Sequence, residues 1–150
     1  MDYSIGQVAK RLGCTAQTLR HYEQLGLIQP PPRTEGQQRR YRPVDLQRLT
    51  FIRHARELGF SLDAIGDLLQ LSNHVDEPCQ QADQLAAQQL SEVRSRIARL
   101  QALEQELEAM VGHCTDGRVA NCKVIEVLSN HALCLHDVHD VPKSPAQRVR

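Results

Sequence analysis

Apolar residues recur at three- and four-residue steps along most of this chain, and polar or Gly/Pro breaks divide them into helical segments. Ile5, Val8, Ala9 and Leu12 form one stripe. Ser4 opens it as a capping residue, Gln7 stands where it can reach back to complete a capping box, and Gly13 closes the helix. Thr15 caps a second helix, TAQTLRHYEQLG, which buries Leu19, exposes Gln17, Arg20 and His21, and stops at Gly26. Two short helices joined by a tight turn containing Gly predict a helix-turn-helix.

The next stretch, QPPPRTEGQQRRYRP at 29–43, opens on three prolines and cannot be helical throughout. It predicts a small β-wing with Arg33, Arg39, Arg40 and Arg42 around Tyr41. Pro43 suits the first position of a further helix, where its missing N–H costs nothing. That helix runs through Leu46, Leu49, Ile52 and Ala55 to Gly59, and Ser61 caps another with Leu62, Ile65, Leu68 and Leu69 facing inward. After the polar break SNHVDEPC, Val93, Ile97, Leu100, Leu103, Leu107 and Met110 mark a helix from about Cys79 to Gly112 with no internal Gly or Pro. At 1.5 Å per residue it is on the order of 50 Å long. So narrow a stripe on so long a rod has too little core of its own, which predicts a partner helix, most simply from a second copy of the chain.

Composition supports a helical reading. The 150 residues include three Tyr, two Phe and no Trp, which suits helices and coiled coil better than a β-sandwich. No run of 18 apolar residues and no signal peptide are visible, so a cytoplasmic protein with no membrane partner is expected. The net charge of zero hides an asymmetry: residues 1–60 hold ten Lys/Arg against five Asp/Glu, and the remainder is acidic. A basic front half fits a polyanionic partner. Five cysteines, an odd number, do not suggest a disulfide framework and point to metal or redox chemistry.

IGQVAKRLGCTAQTLRHYEQLGLIQPPPRTE, followed by RRYRPVDLQRLTFIRHARELGFSLDAI, resembles the mercury-resistance regulator (MerR) family, and the likeness extends over about residues 3–128. The order of helix-turn-helix, wing, helix pair, long helix and cysteine loop is similar to its metal-sensing branch. One departure lies in the wing, where Gln37-Gln38 precede Arg39 in place of the family's usual Gly-aromatic pair. Together, pattern and resemblance imply a mainly α fold. A winged helix-turn-helix DNA-binding domain (1–72) is expected, then a dimerisation helix (73–113) forming an antiparallel coiled coil. A metal-binding loop with a short C-terminal helix (114–139) and a disordered tail (140–150) would follow.

On the DNA side, Arg20 is the best candidate to reach a base edge, because its planar fork can bond guanine through two hydrogen bonds. Gln17 can read a neighbouring base. Tyr22, Arg33, Arg39 and Tyr41 suit phosphate contacts, which fix register without carrying sequence. Cys14, in the turn beside buried leucines, is read as packing.

Three cysteines flank the long helix: Cys79 at its start, Cys114 and Cys122 just past its end. A rod of that length keeps the two groups apart within one chain. A parallel dimer pairs Cys79 with its own copy, and an antiparallel one pairs it with the partner's loop; the resemblance implies the antiparallel case. Cys79 follows Pro78 at a helix N-terminus, where the dipole favours an anionic ligand. Three thiolates suit zinc, cadmium, lead or mercury, and His113 can complete a tetrahedral zinc site. Copper-, silver- and gold-sensing relatives use only the two loop cysteines, with a serine-type residue where this chain has Cys79. The resemblance therefore implies a divalent effector, foremost zinc, with cadmium and lead as alternatives. The seven residues between Cys114 and Cys122 match the copper branch better. His131, Cys134, His136 and His139 form a candidate accessory site.

The expected function is a metal-responsive transcription regulator. It would bind a palindromic promoter operator in double-stranded DNA as a homodimer, and act on RNA polymerase through the shared promoter. Copper(I) or silver sensing through Cys114 and Cys122 alone, or thiol-redox sensing, are the alternatives. Neither a Cys-x-x-Cys motif nor a His-Glu-x-x-His helix is present, so no enzyme is indicated. A drug sensor needs a ligand domain for which the pattern leaves no room.

Overall fold

The computed structural model of the chain describes residues 2–32, 35–36, 38–113, 116–136 and 139. Its elements run β1 (Tyr3–Ser4), α1 (Ile5–Leu12), α2 (Ala16–Gln24), β2 (Arg40–Tyr41), α3 (Pro43–Glu57), α4 (Leu62–Ser72), α5 (Gln80–Met110) and α6 (Lys123–Ser129). Single 3-10 turns lie at Val119–Asn121 and His131–Leu133. No helix among the described residues is long and apolar enough to cross a membrane.

The helices of the N-terminal half start where side chains satisfy their open N–H groups. Ser4 Oγ accepts from the Gln7 N–H at 3.3 Å while Gln7 Oε1 accepts from the Ser4 N–H at 2.8 Å, closing the expected capping box. Thr15 accepts from Thr18 and Ser61 from Ala64, so α2 and α4 begin where the sequence indicates. Pro43 opens α3, and the Asp45 carboxylate accepts from the Arg42 N–H at 2.8 Å. Between α1 and α2, Gly13 takes φ +62°, a left-handed turn that lets the Cys14 N–H donate back to the Ala9 carbonyl at 3.0 Å.

Two compact units divide the chain, residues 1–89 and 90–150. The division falls inside α5, later than the break near 72 that the polar stretch suggests. Gln89 explains part of it, because its Nε2 donates to the Leu58 carbonyl at 3.0 Å at the end of α3.

In the first unit one core gathers Val8, Ala9 and Leu12 from α1, Leu19 from α2, and Leu27 and Ile28 from the following turn. Tyr41, Leu49, Ile52 and Ala55, with Ile65 and Leu69 of α4, complete it. Leu46 and Leu62 pack against it only partly. β1 and β2 pair antiparallel, Tyr3 opposite Tyr41 and Ser4 opposite Arg40, and the Arg40 N–H donates to the Pro32 carbonyl at 2.9 Å. These bonds root the wing on β1, just ahead of α1.

In the second unit the apolar stripe of α5 separates into two. Met110 is buried and Leu103 half-buried, whereas Leu90, Ile97, Leu100, Leu107 and Val111 are exposed. With half-buried Val93, the exposed set runs 90, 93, 97, 100, 107, 111, a spacing of about 3.5 residues with Glu104 at the missing place. Val127 of α6 is buried, as is the carboxylate-bearing Glu106 of α5.

Candidate nucleic-acid interface and thiolate site

On α2, Gln17 and Arg20 are exposed one turn apart, and among the described residues neither makes a hydrogen bond or ion pair. They are therefore free to reach an external partner. Tyr22, on the same helix, is half-buried against the core. Burial pushes its phenol pKa up, so it stays protonated.

Glu23 organises the neighbouring surface. Its Oε2 takes the Arg39 Nε–H at 3.0 Å and its Oε1 takes the Tyr41 hydroxyl at 2.8 Å, so the second helix and the wing root share one carboxylate. Tyr41 corrects the sequence reading. It is fully buried, and its hydroxyl is committed to Glu23, so it supports the wing from inside and does not contact phosphate. Burial first, then the Glu23 hydrogen bond and charge, raise its phenol pKa well above the ordinary range. Arg39 stays half-exposed, with its Nε anchored on Glu23. Arg42 is tied to Asp45 through Nε at 3.1 Å and Nη2 at 3.2 Å. Arg33 lies outside the described residues.

Cys79 is exposed at the N-cap of α5, where its carbonyl accepts from the Asp83 N–H at 3.0 Å. Cys122 holds the equivalent position on α6: its carbonyl accepts from the Glu126 N–H at 3.0 Å, and its half-buried thiol makes no capping bond. Both sulfurs thus remain available as ligands. Cys114 lies outside the described residues; His113, before it, is exposed.

The loop ahead of Cys122 is set by Asp116, which the sequence reading passed over. Its Oδ1 accepts from the Arg118 N–H at 3.0 Å and its Oδ2 from Asn121 Nδ2 at 2.7 Å. These hydrogen bonds hold its carboxyl below the usual range. The visible signal is the Asp116-Gly117 pair, a turn dipeptide. Cys14 is half-buried against the core, and burial pushes its thiol up, in keeping with packing.

Comparison with known proteins identifies the architecture. Residues 3–72 match the MerR HTH family regulatory proteins and residues 46–110 the MerR DNA-binding family. The chain belongs to the MerR family. It is 39% identical over 133 residues to the HTH-type transcriptional regulator ZntR of Escherichia coli K12, a match covering 87% of this chain and 94% of that one. It is 35% identical over 127 residues to heavy metal-dependent transcription regulator 2 of Rhizobium meliloti, covering 85% and 86%. Among solved structures it is similar to the transcription regulator PbrR691 from Ralstonia metallidurans CH34 in complex with lead(II), with 36% identity and a TM-score of 0.69. That match covers 84% of this chain and 98% of that one.

MerR-family proteins are transcription regulators, not enzymes, and bind promoter DNA as dimers. Within the matched helix-turn-helix region, Gln17 and Arg20 are exposed and Arg39 is anchored on Glu23. Near the C-terminus, His131, Cys134 and His139 each bring one ligand atom within 4.8 Å of the others. His136, grouped with them on sequence, turns to Glu106 instead: Nδ1 lies 3.0 Å from Oε1, and its backbone N–H donates to the same oxygen. Burial works against a charged Glu106, but the backbone donors of Leu135 and His136 and the His136 ring outweigh it and lower its pKa.

Proposed function

We propose that this MerR-family protein is a metal-responsive regulator of a promoter, with an effector site built from Cys79 of one chain and Cys114 and Cys122 of its partner. The observation that carries the reading is Cys79: an exposed thiol at the N-cap of α5, preceding an apolar seam, Leu90 to Val111, that a single chain leaves exposed. An antiparallel second copy covers that seam and brings Cys79 toward the other chain's loop. The positive end of the helix favours an anionic sulfur there. A heavy-metal-dependent relative and a neighbour solved with lead(II) support a metal effector. Three thiolates supply a trigonal or, with His113, tetrahedral donor set for a divalent ion: zinc, cadmium or lead.

In this mechanism Arg20 and Gln17 read base edges in the major groove while Arg39, and Arg33 with it, hold phosphates. Two copies related by a twofold axis dictate a palindromic operator. Closing Cys79 of one chain with the partner's Cys114 and Cys122 changes how the two chains sit, and with them the two reading heads. The DNA between the half-sites is then bent and untwisted, so bases the protein never touches matter through their deformability. RNA polymerase on the same promoter receives the change. Effector and DNA shape are linked: each biases the dimer only by its differential affinity for the two states.

Cadmium titration of the reduced protein, read by thiolate charge-transfer absorption and followed by competition with zinc, lead and copper(I), tests the reading. Three thiolates per ion, lost in Cys79→Ser, are expected. Tight copper(I) binding through two thiolates, indifferent to Cys79→Ser, would place the protein with the monovalent sensors. Binding of no metal would leave thiol-redox sensing.

A further inference from the structure

His131, Cys134 and His139 occupy a stretch of nine residues with five polar or titratable side chains, and the ligand atoms of three of them lie within 4.8 Å of one another. The 3-10 turn His131–Leu133 accounts for two: residues three apart eclipse one another in that geometry, so His131 and Cys134 lie on one side. Asn130 fixes the start of the turn, its Oδ1 accepting from the Ala132 N–H at 3.1 Å, and the Cys134 N–H closes it on the His131 carbonyl at 3.0 Å. His139 then returns so that its ring meets that of His131 edge-on, centroids 5.0 Å apart.

We propose that these three residues form a second metal site, distinct from the Cys79/Cys114/Cys122 set, for a borderline divalent ion of the zinc class. The proposal does not depend on the thiolate reading above. Ligand atoms within 4.8 Å of one another need only modest side-chain rotation to close. A tetrahedral zinc ion, with its bonds to nitrogen and sulfur of about 2.0–2.3 Å, keeps its donors roughly 3.3–3.6 Å apart. Two imidazoles and one thiolate suit zinc or cobalt(II) and exclude the oxygen-seeking calcium and magnesium. The fourth position is left to water or an outside group, because His131 is exposed.

His136 gives the site a consequence. It lies between Cys134 and His139 but is held on Glu106 of α5 through both its ring and its backbone N–H. An ion that pins residues on both sides of His136 restricts the segment that reaches α5, so occupancy steadies the C-terminal end of the proposed dimer helix. The two sites therefore differ in donor set and in effect: the thiolates link chains, while the His-Cys-His set fastens one chain's end to its own helix.

The test uses the full chain with Cys79, Cys114 and Cys122 all changed to Ser, which separates this proposal from the thiolate reading. Titration with cobalt(II) is expected to give tetrahedral visible bands and a single-thiolate charge-transfer band at one ion per chain. Cys134→Ser removes the charge-transfer band, and His131→Ala or His139→Ala abolishes the tetrahedral bands. His136→Ala keeps both, because its ring is engaged on Glu106. Amide exchange over 103–110 is expected to slow on cobalt(II) addition. No cobalt(II) binding in a protein with intact helical circular dichroism overturns the site, as do bands that survive the His131 and His139 changes. Unchanged exchange over α5 overturns the fastening role.

Discussion

At the scale of single residues, Glu23 does more than its ordinary place on an amphipathic helix suggests. Both carboxylate oxygens are used, one by Arg39 and one by the buried Tyr41 hydroxyl, so removing the carboxylate strands a phenol in the core. Glu23→Ala should lower unfolding stability by ~1–3 kcal/mol in urea denaturation, the usual cost of leaving a buried polar group unsatisfied. It should also weaken operator binding, because Arg39 loses its anchor. Tyr41→Phe removes the stranded group and should cost less; an equal loss would mean that the hydroxyl is not what Glu23 satisfies. Arg20→Ala acts differently. Loss of a base-edge contact should cost about 1–3 kcal/mol on the cognate operator and much less on unrelated DNA, with stability unchanged. The same residues show where sequence is blind. Arg39 and Tyr41 look like two cationic-wing contacts because the partner that separates their roles is 16 and 18 positions away, on another helix.

Asp45 makes a pH-dependent contribution at the same scale. Burial disfavours its charge, but the hydrogen bonds and charge of Arg42 outweigh burial and lower its pKa below the ordinary carboxylate value. A depressed folded-state pKa contributes stability above the unfolded-state value, about 3.9, and loses it as pH falls through the folded one. Asp45→Asn should therefore flatten the acid limb of a stability-versus-pH curve below about pH 4 while leaving its neutral plateau lower. An acid limb identical to that of the parent would remove Asp45 as its source.

At the scale of elements, the starts of α1, α2, α3 and α4 were legible because each depends on neighbours within three residues: Ser4 with Gln7, Thr15 with Thr18, Pro43 at the first turn, Ser61 with Ala64. The two faces of α5 were not. Periodicity puts Leu103 and Met110 on the same stripe as Leu100 and Leu107, but it cannot say which apolar positions the chain covers for itself. That depends on the segment after Cys122, which returns His136 to Glu106. The loop was legible in its cysteines and not in its brace. Asp116 fixes backbone and side chain at once, so Asp116→Ala should leave the thiolates in place but cost them preorganisation. A weaker cadmium affinity with an unchanged three-thiolate spectrum is expected in direct titration. A changed spectrum would mean that Asp116 or its neighbours coordinate the ion.

At the scale of the whole molecule, one exposed apolar seam and the proposed division of the cysteines make the same demand for a second chain. Leu100 and Leu107 are each 60% exposed, a cost that an isolated rod bears on every turn of the seam. Leu100→Glu with Leu107→Glu should convert the dimer to monomer by sedimentation at micromolar concentration and abolish operator binding, since a half-site holds only one reading head. That variant does not show which cysteines belong together; mixing does. Chains carrying Cys79→Ser and chains carrying Cys114→Ser with Cys122→Ser each lack a complete thiolate set as homodimers. Exchanged into mixed dimers, Cys79 of the second chain meets Cys114 and Cys122 of the first, if the helices run antiparallel. The full three-thiolate cadmium charge-transfer intensity should then appear only after mixing, in proportion to the mixed dimers formed. Three-thiolate intensity before mixing would place a complete donor set within one kind of chain. None afterwards, with heterodimers demonstrated, would mean that Cys79 faces its own copy and that the helices are parallel. The result therefore fixes the direction of the dimer helix and the composition of the site in one measurement.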